Sequence, residues 1–343
     1  LYFERDPREM TFKIAYLMPP TQVGRQNGVV SQALTWSAWL ERAGVSVDLV
    51  SPWETYHWSS YDAIHAFSIG HYLNMLPQLR DQGARRIVLS PIYDSNRSEV
   101  LANVLSRLSF PVGEMRTVWA MLRKVVPHVD AVLVRSDFEA RKMAAIFGLP
   151  PEKIANVHLP GRFEPKDLCL GMPKEPICSH VSLLSSPIKN VDRLIQAAVK
   201  YQFPLHLAGR IKGEPFRNHL DSITRAHTNV VYHGPLSDSD LKILYARSRV
   251  FALPSLMEGV GLVGLEAAAH GADIVITDRG GPKEYYGDLA RKIDPESVDD
   301  IGRAVMEFLD GKTFQPELSR RILADYSIEA SVAKLIEVYG ASA

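Results

Sequence analysis

Glu258 and Glu266 stand eight positions apart, with Gly259, Gly261 and Gly264 between them and no other charge in the interval. The apolar run Val250-Phe251-Ala252-Leu253 precedes them, and Ala267-Ala268-Ala269 follows. The order is a strand, a glycine loop and the start of a helix. At such a junction the first backbone N–H groups have no intrahelical partner, and the positive end of the helix dipole points the same way. A phosphate or diphosphate is well received there. Glu266, in the early turns of the helix, can accept hydrogen bonds from the hydroxyls of a ligand at that spot, and Glu258 can do so from the loop. The amides of Gly259, Gly261, Leu262 and Val263 for a diphosphate, flanked by two carboxylates for sugar hydroxyls, compose a nucleotide-sugar site. The bland alternative is dipole compensation by one glutamate and a solvated loop charge on the other.

The elements that must position this site follow from periodicity. Strands are expected at 12–18, 45–50, 63–67, 86–90, 131–136 and 154–159, with helices at 29–42 and 137–147 and a long helical region over 97–127, broken near Pro111. Residues 162–177 hold Pro165, Pro173, Pro176 and Gly171 and read as a linker between two domains. Alternation then resumes, with strands at 179–184, 205–208, 230–233, 250–253 and 273–277. Helices are expected between them at 192–200, 216–225, 237–246 and 263–270. Strands alternating with helices mean βαβ units and mostly parallel sheets, whose ligands sit at the carboxyl ends of the strands. The expected division is an N-terminal domain over 10–161, the linker 162–177, a C-terminal domain over 178–325 and a final helical segment over 326–343.

Composition bounds the function. The 343 residues suffice for two domains, 46% are hydrophobic and 23% charged, and 39 basic residues balance 39 acidic ones. Zero net charge gives no support to a nucleic-acid partner. Cys169 and Cys178 show neither metal-ligand spacing nor a disulfide framework, and a reduced, cytoplasmic setting is the simplest expectation. No apolar run reaches the roughly 18 residues of a membrane span. Leu1-Tyr2-Phe3 reads as the remnant of a cleavable tag, with Met10 as a native start. There is no G-x-G-x-x-G fingerprint and no Walker A lysine pattern, so neither a dinucleotide cofactor nor a P-loop is expected. No metal or other cofactor is expected.

The stretch from Glu258 to Glu266 resembles the E-x(7)-E motif of retaining glycosyltransferases of GT-B fold, family 4 in particular. Asp273-Ile274-Val275-Ile276-Thr277-Asp278-Arg279-Gly280-Gly281-Pro282-Lys283-Glu284 is similar to the strand and glycine loop that follow it in the family. The resemblance is close over about 250–288 and persists elsewhere as an ordering of segments. It implies two Rossmann-like doubly wound domains facing across a cleft, the second binding the donor and the first the acceptor, with the final helix crossing back to the first domain. It implies Glu266 on the ribose, Glu258 on the sugar, and Lys189 in the loop after 179–184 on the diphosphate. The family's second cation in that loop is missing; Leu184, Ser185 and Ser186 occupy its neighbourhood. Arg210, after the strand at 205–208, is the candidate replacement.

The loop from Gly24 to Gly28 resembles the family's N-terminal glycine loop near the donor diphosphate. His65 resembles the first histidine of the family's His-x-His, with Phe67 in place of the second, and Tyr93 or Asp94 stands where many members have a histidine near the donor sugar. An ordinary βα loop and a structural histidine remain the alternatives. Residues 100–126 carry an apolar spacing and Arg107, Arg116, Arg123 and Lys124. Two readings stay open for them: packing on their own sheet, or the peripheral membrane contact of family members with lipid-linked acceptors. The resemblance implies transfer of a hexosyl unit from a nucleoside diphosphate sugar to a glycan, glycolipid or small-molecule hydroxyl, with surface polysaccharide assembly as the setting. A degenerate subunit that binds nucleotide without transfer is the alternative.

Overall fold

The computed structural model describes residues 12–19, 28–93, 99–107, 118–162, 168 and 172–340. The chain forms two compact units, Leu1–His158 with Ile328–Ala343, and Leu159–Ser327. The first contains β1 (Phe12–Leu17), α1 (Gly28–Arg42), β2 (Val45–Leu49), β3 (Ala63–Phe67), α2 (Leu76–Asp81), β4 (Ile87–Ser90), α3 (Glu99–Arg107), α4 (Val118–Val125), β5 (Ala131–Val134), α5 (Asp137–Phe147) and β6 (Ile154–Asn156). Its sheet runs β2-β1-β3-β4-β5-β6, with every pair parallel. Parallel strands covered on both faces read as continuous apolar runs, and β3, β4 and β5 are buried at every position.

The second unit contains β7 (Glu175–Val181), α6 (Val191–Tyr201), β8 (Leu205–Ala208), α7 (Glu214–Ala226), β9 (Val230–Tyr232), α8 (Asp238–Arg247), β10 (Ser248–Leu253), α9 (Leu262–Ala269), β11 (Asp273–Thr277), α10 (Pro282–Tyr286), β12 (Arg291–Ile293), α11 (Val298–Leu309) and α12 (Glu317–Asp325). The last helix, α13 (Ile328–Gly340), belongs to the first unit. The second sheet runs β12-β11-β10-β7-β8-β9, again all parallel. The strand order reverses between β7 and β10. In such sheets the reversal leaves a crevice at the strands' carboxyl ends, where ligands bind. Apolar side chains of α6 and α11, among them Leu194, Ile195, Ile301, Val305 and Phe308, join those of β7, β8 and β10 in one core.

Local chemistry explains where several helices start. Ser136, Ser237 and Ser297 precede α5, α8 and α11, and each hydroxyl accepts the backbone N–H three residues on. The expected linker needs correction at its end. β7 starts at Glu175, within the Pro-rich stretch, because Glu175 pairs with Ser248 of β10. Sheet pairing outweighed the local turn composition of Lys174-Glu175-Pro176. Cys169, like Gly24 and Asp94, lies outside the described residues. In the 97–127 region the described part packs within its own unit. Asn103 of α3 donates to the carbonyl of Ala145 in α5 at 2.8 Å, and Arg123 of α4 donates to Ser106 Oγ at 2.9 Å. Among the described residues no helix is long and apolar enough to cross a membrane.

Candidate functional site

The loops that follow β7 and β10 meet at the reversal point of the second sheet. Beyond β7 the chain makes a short turn over Pro187–Lys189, and Asn190 adopts a left-handed conformation before α6 begins. The Asn190 amide donates to the carbonyls of Pro254 at 2.9 Å and Pro295 at 2.6 Å, and the Leu256 N–H donates to the Ile188 carbonyl at 2.8 Å. These bonds hold the Lys189 turn against the loop that carries Glu258. Lys189 Nζ lies 2.5 Å from Glu258 Oε1, and Ser255 Oγ donates to the same oxygen at 2.6 Å. The Glu258 side chain is 9% exposed and that of Lys189 26%, so the lysine is the more accessible member of the pair.

Two glycines make this loop possible. Gly261, at φ +80°, turns the chain into α9, and its carbonyl accepts from Tyr286 Oη at 2.9 Å. Gly280 forms a parallel bridge with Glu258, whose N–H donates to the Arg279 carbonyl and whose carbonyl accepts from Gly281. A Cβ on Gly280 would lie 1.9 Å from the Glu258 carbonyl oxygen. Only glycine allows the two backbones so close. The loop after β11 therefore braces Glu258 from the side opposite Lys189's turn. Gly259, Leu262 and Val263 are half-buried around the helix start.

Glu266 is 2% exposed, and its carboxylate is occupied. Arg162 grips it in a fork, Nε to Oε1 at 2.6 Å and Nη2 to Oε2 at 3.0 Å, and Tyr245 Oη donates to Oε2 at 3.2 Å. The bond to Glu266 holds the Arg162 guanidinium firmly protonated, above its ordinary range. Burial, and the negative charge of Glu266 beside it, push the Tyr245 phenol up as well. Sequence reasoning missed Arg162. It lies 104 positions from Glu266, and no local pattern announces it.

Arg210 is exposed in the loop after β8. Its carbonyl accepts from Leu184 N–H at 2.9 Å, and Lys212 N–H donates to Ser185 Oγ at 2.8 Å. The Arg210 loop is thus stitched to the loop that leads to Lys189. His180 of β7 is buried nearby in sequence. Its Nδ1 meets the Ala252 carbonyl at 2.7 Å and its Nε2 meets Ser182 Oγ at 2.7 Å. A carbonyl only accepts, so Nδ1 carries the proton and Ser182 donates to Nε2. Burial lowers the pKa of His180 to about 4.

In the first unit, the candidate residues His65 and Tyr93 prove to be interior. His65 is fully buried; its Nδ1 is bonded to Tyr339 Oη at 2.7 Å, its Nε2 to Ser90 Oγ at 2.8 Å, and its ring stacks on Phe67. Burial lowers its pKa to about 3. Both ring nitrogens are used, and none is left for an acceptor. Tyr93 is 5% exposed, belongs to the core beneath α5, and meets Phe147 edge to face. Its N–H donates to Glu139 Oε1 at 2.7 Å, while Arg135 Nε is 2.9 Å from Glu139 Oε2. Gly28 opens α1 and is exposed. Among the described residues no group of three or more His, Cys, Asp or Glu could hold a metal.

Residues 173–326, which fall within the second unit, match the model of the family Glycosyl transferases group 1. O-antigen chain mannosyltransferase B of Escherichia coli is 26% identical over 253 residues. That stretch is 67% of this chain but 65% of the relative, so the likeness spans less than two thirds of that protein. Among solved structures, sucrose-phosphate synthase from Thermosynechococcus elongatus superposes with a TM-score of 0.74 at 16% identity, over 96% of this chain and 98% of that one. HepE of Anabaena in complex with UDP gives 0.72 at 16% identity, over 96% and 100% of the two chains. The two parallel six-stranded sheets with their helices are the GT-B fold.

Proposed function

We propose that this chain is a retaining glycosyltransferase that moves a hexosyl unit from a nucleoside diphosphate sugar to an acceptor hydroxyl. The observation that carries the reading is the meeting of Lys189, Glu258 and the glycine-opened start of α9 at the reversal point of the second sheet. A cation, free helix N–H groups and a buried carboxylate at one crevice suit a diphosphate bearing a sugar. The domain match to Glycosyl transferases group 1 and the GT-B fold support it.

In this reading the amides of Gly261, Leu262 and Val263, with Gly259 and the remaining donors of Lys189, receive the diphosphate. Glu258 takes the sugar hydroxyls, and Glu266 those of the ribose. The Gly24–Gly28 loop serves the donor diphosphate as well as the acceptor, and the rest of the first unit serves the acceptor. The bond from the anomeric carbon to the phosphate oxygen breaks as the acceptor oxygen attacks on the same face, and the acceptor proton passes to the departing phosphate. Negative charge grows on that phosphate, so a fixed cation beside it lowers the barrier. Arg210, on a loop stitched to that of Lys189, is the second cation. The setting is assembly of a surface polysaccharide or glycolipid, as the name of the E. coli relative suggests.

The test is incubation with UDP-, GDP-, dTDP- and ADP-sugars and an acceptor panel, following nucleoside diphosphate release and the anomeric configuration of the product by NMR. Transfer with retention is expected from one donor. Glu258→Gln should cut turnover and leave nucleoside diphosphate affinity nearly intact, and Arg210→Ala should cost turnover more than affinity. An inverted product would overturn the mechanism, and binding without release from any donor would overturn the activity.

A further inference from the structure

We infer that Arg162 is an internal occupant of the hydroxyl site on Glu266, which the nucleotide must displace, and that this residue sets the affinity for the donor. The inference rests on the reading of Glu266 as the ribose ligand. An ionised carboxylate offers about four acceptor positions. Arg162 fills one on each oxygen and Tyr245 a third. The fourth is out of reach, because the Glu266 side chain is 1% exposed. With Arg162 in place, a ribose hydroxyl has no path to the group proposed to receive it.

The asymmetry of the pair shows which partner moves. The Arg162 side chain is 40% exposed while that of Glu266 is not, so the guanidinium can swing into water without leaving itself buried and uncompensated. A resting place is already in contact: Asp238 Oδ1 lies 3.4 Å from Arg162 Nη1, and the Asp238 side chain is 74% exposed. Glu266 has no such freedom, being held in α9 with Tyr245 Oη behind it. The exchange also balances in hydrogen bonds. Two N–H donors of Arg162 leave the carboxylate, and the two adjacent hydroxyls of a ribose replace them, oxygen for oxygen.

Apparent affinity falls by the fraction of molecules in which the site is open. Calorimetry of UDP and GDP, with the intact chain, tests this using whichever nucleotide binds the wild type. Arg162→Ala should bind it about tenfold more tightly, equivalent to about 1.4 kcal/mol. Arg162→Lys, which keeps the charge but loses the fork, should fall between. Glu266→Ala should bind more weakly, and adding Arg162→Ala to it should change nothing further, since the arginine acts only through that carboxylate. Unchanged or weaker binding by folded Arg162→Ala, with Glu266→Ala weakened, overturns the displacement and leaves the ribose reading standing. Unchanged binding by Glu266→Ala overturns the ribose reading and the displacement with it. Should Arg162→Ala fail to fold, Arg162→Lys with no gain in affinity overturns the displacement.

Discussion

Replacing Lys189 with alanine removes the ammonium 2.5 Å from Glu258 Oε1 and leaves that carboxylate with the Ser255 hydroxyl at 2.6 Å. A hydrogen bond to a charged group is worth about 1.5–3 kcal/mol, and breaking a fully buried pair costs about 3–5 kcal/mol because the remaining charge is stranded. Here the lysine side chain is 26% exposed, so water can enter the gap and relieve part of that penalty. The expected loss is therefore about 2–3 kcal/mol, near the lower bound for a buried pair. For a unit of this size each kcal/mol moves the melting midpoint by about 2–4 °C, so the midpoint should fall by about 4–12 °C. The decisive assay is a cycle of Lys189→Ala, Glu258→Gln and the double variant, followed by urea unfolding of the second unit's transition. Glu258→Gln removes the charge that Lys189→Ala strands, so the double variant should lose less than the sum, with a coupling of about 1.5 kcal/mol or more. A coupling below about 0.5 kcal/mol, the range in which independent sites add, would refute the claim that Lys189 and Glu258 are spent on one another.

Two further outcomes follow from the geometry. His180 and His65 are neutral in the folded chain, with pKa values lowered to about 4 and about 3 by burial, against 6.5 for the free side chain. The unfolded chain takes up their protons first as pH falls, so their contribution is complete above about pH 6.5 and declines below it. The decline runs at up to about 1.4 kcal/mol per pH unit for each group, down to about pH 4 for His180 and about pH 3 for His65. His180→Gln should flatten the acid limb of a stability–pH curve by one proton's slope, and an unchanged slope would refute the buried neutral state. Gly280→Ala places a Cβ 1.9 Å from the Glu258 carbonyl oxygen and should open the bridge between the two loops. The expected loss is about 1–3 kcal/mol together with weakened donor use, read by thermal melting and nucleotide calorimetry; wild-type values for both would show that the bridge is dispensable.

Much of this protein was legible along the chain. Apolar runs bounded by turns mark the parallel strands, and the strands at Ala63–Phe67, Leu205–Ala208 and Asp273–Thr277 have the bounds that alternation predicts. The glycine loop between Glu258 and Glu266 also reads directly, because a strand, a left-handed turn and a helix start are all local events. Pairing across long separations is not local. Whether β7 begins at Ser179 or at Glu175 depends on Ser248, a strand far away in sequence. Lys189 and Glu258 come together over 69 positions and Arg162 and Glu266 over 104, through the order in which the strands assemble. For His65 the sequence left a ligand-facing and a structural role both open until the fold brought Tyr339 to one nitrogen and Ser90 to the other, 274 and 25 positions away. The sequence by itself determined which residue types stand at the strand ends, since these are set by backbone chemistry within a few residues. Only the tertiary structure decided which of those side chains are spent on one another, because a charge or a ring nitrogen is satisfied by whatever packing places within about 3 Å.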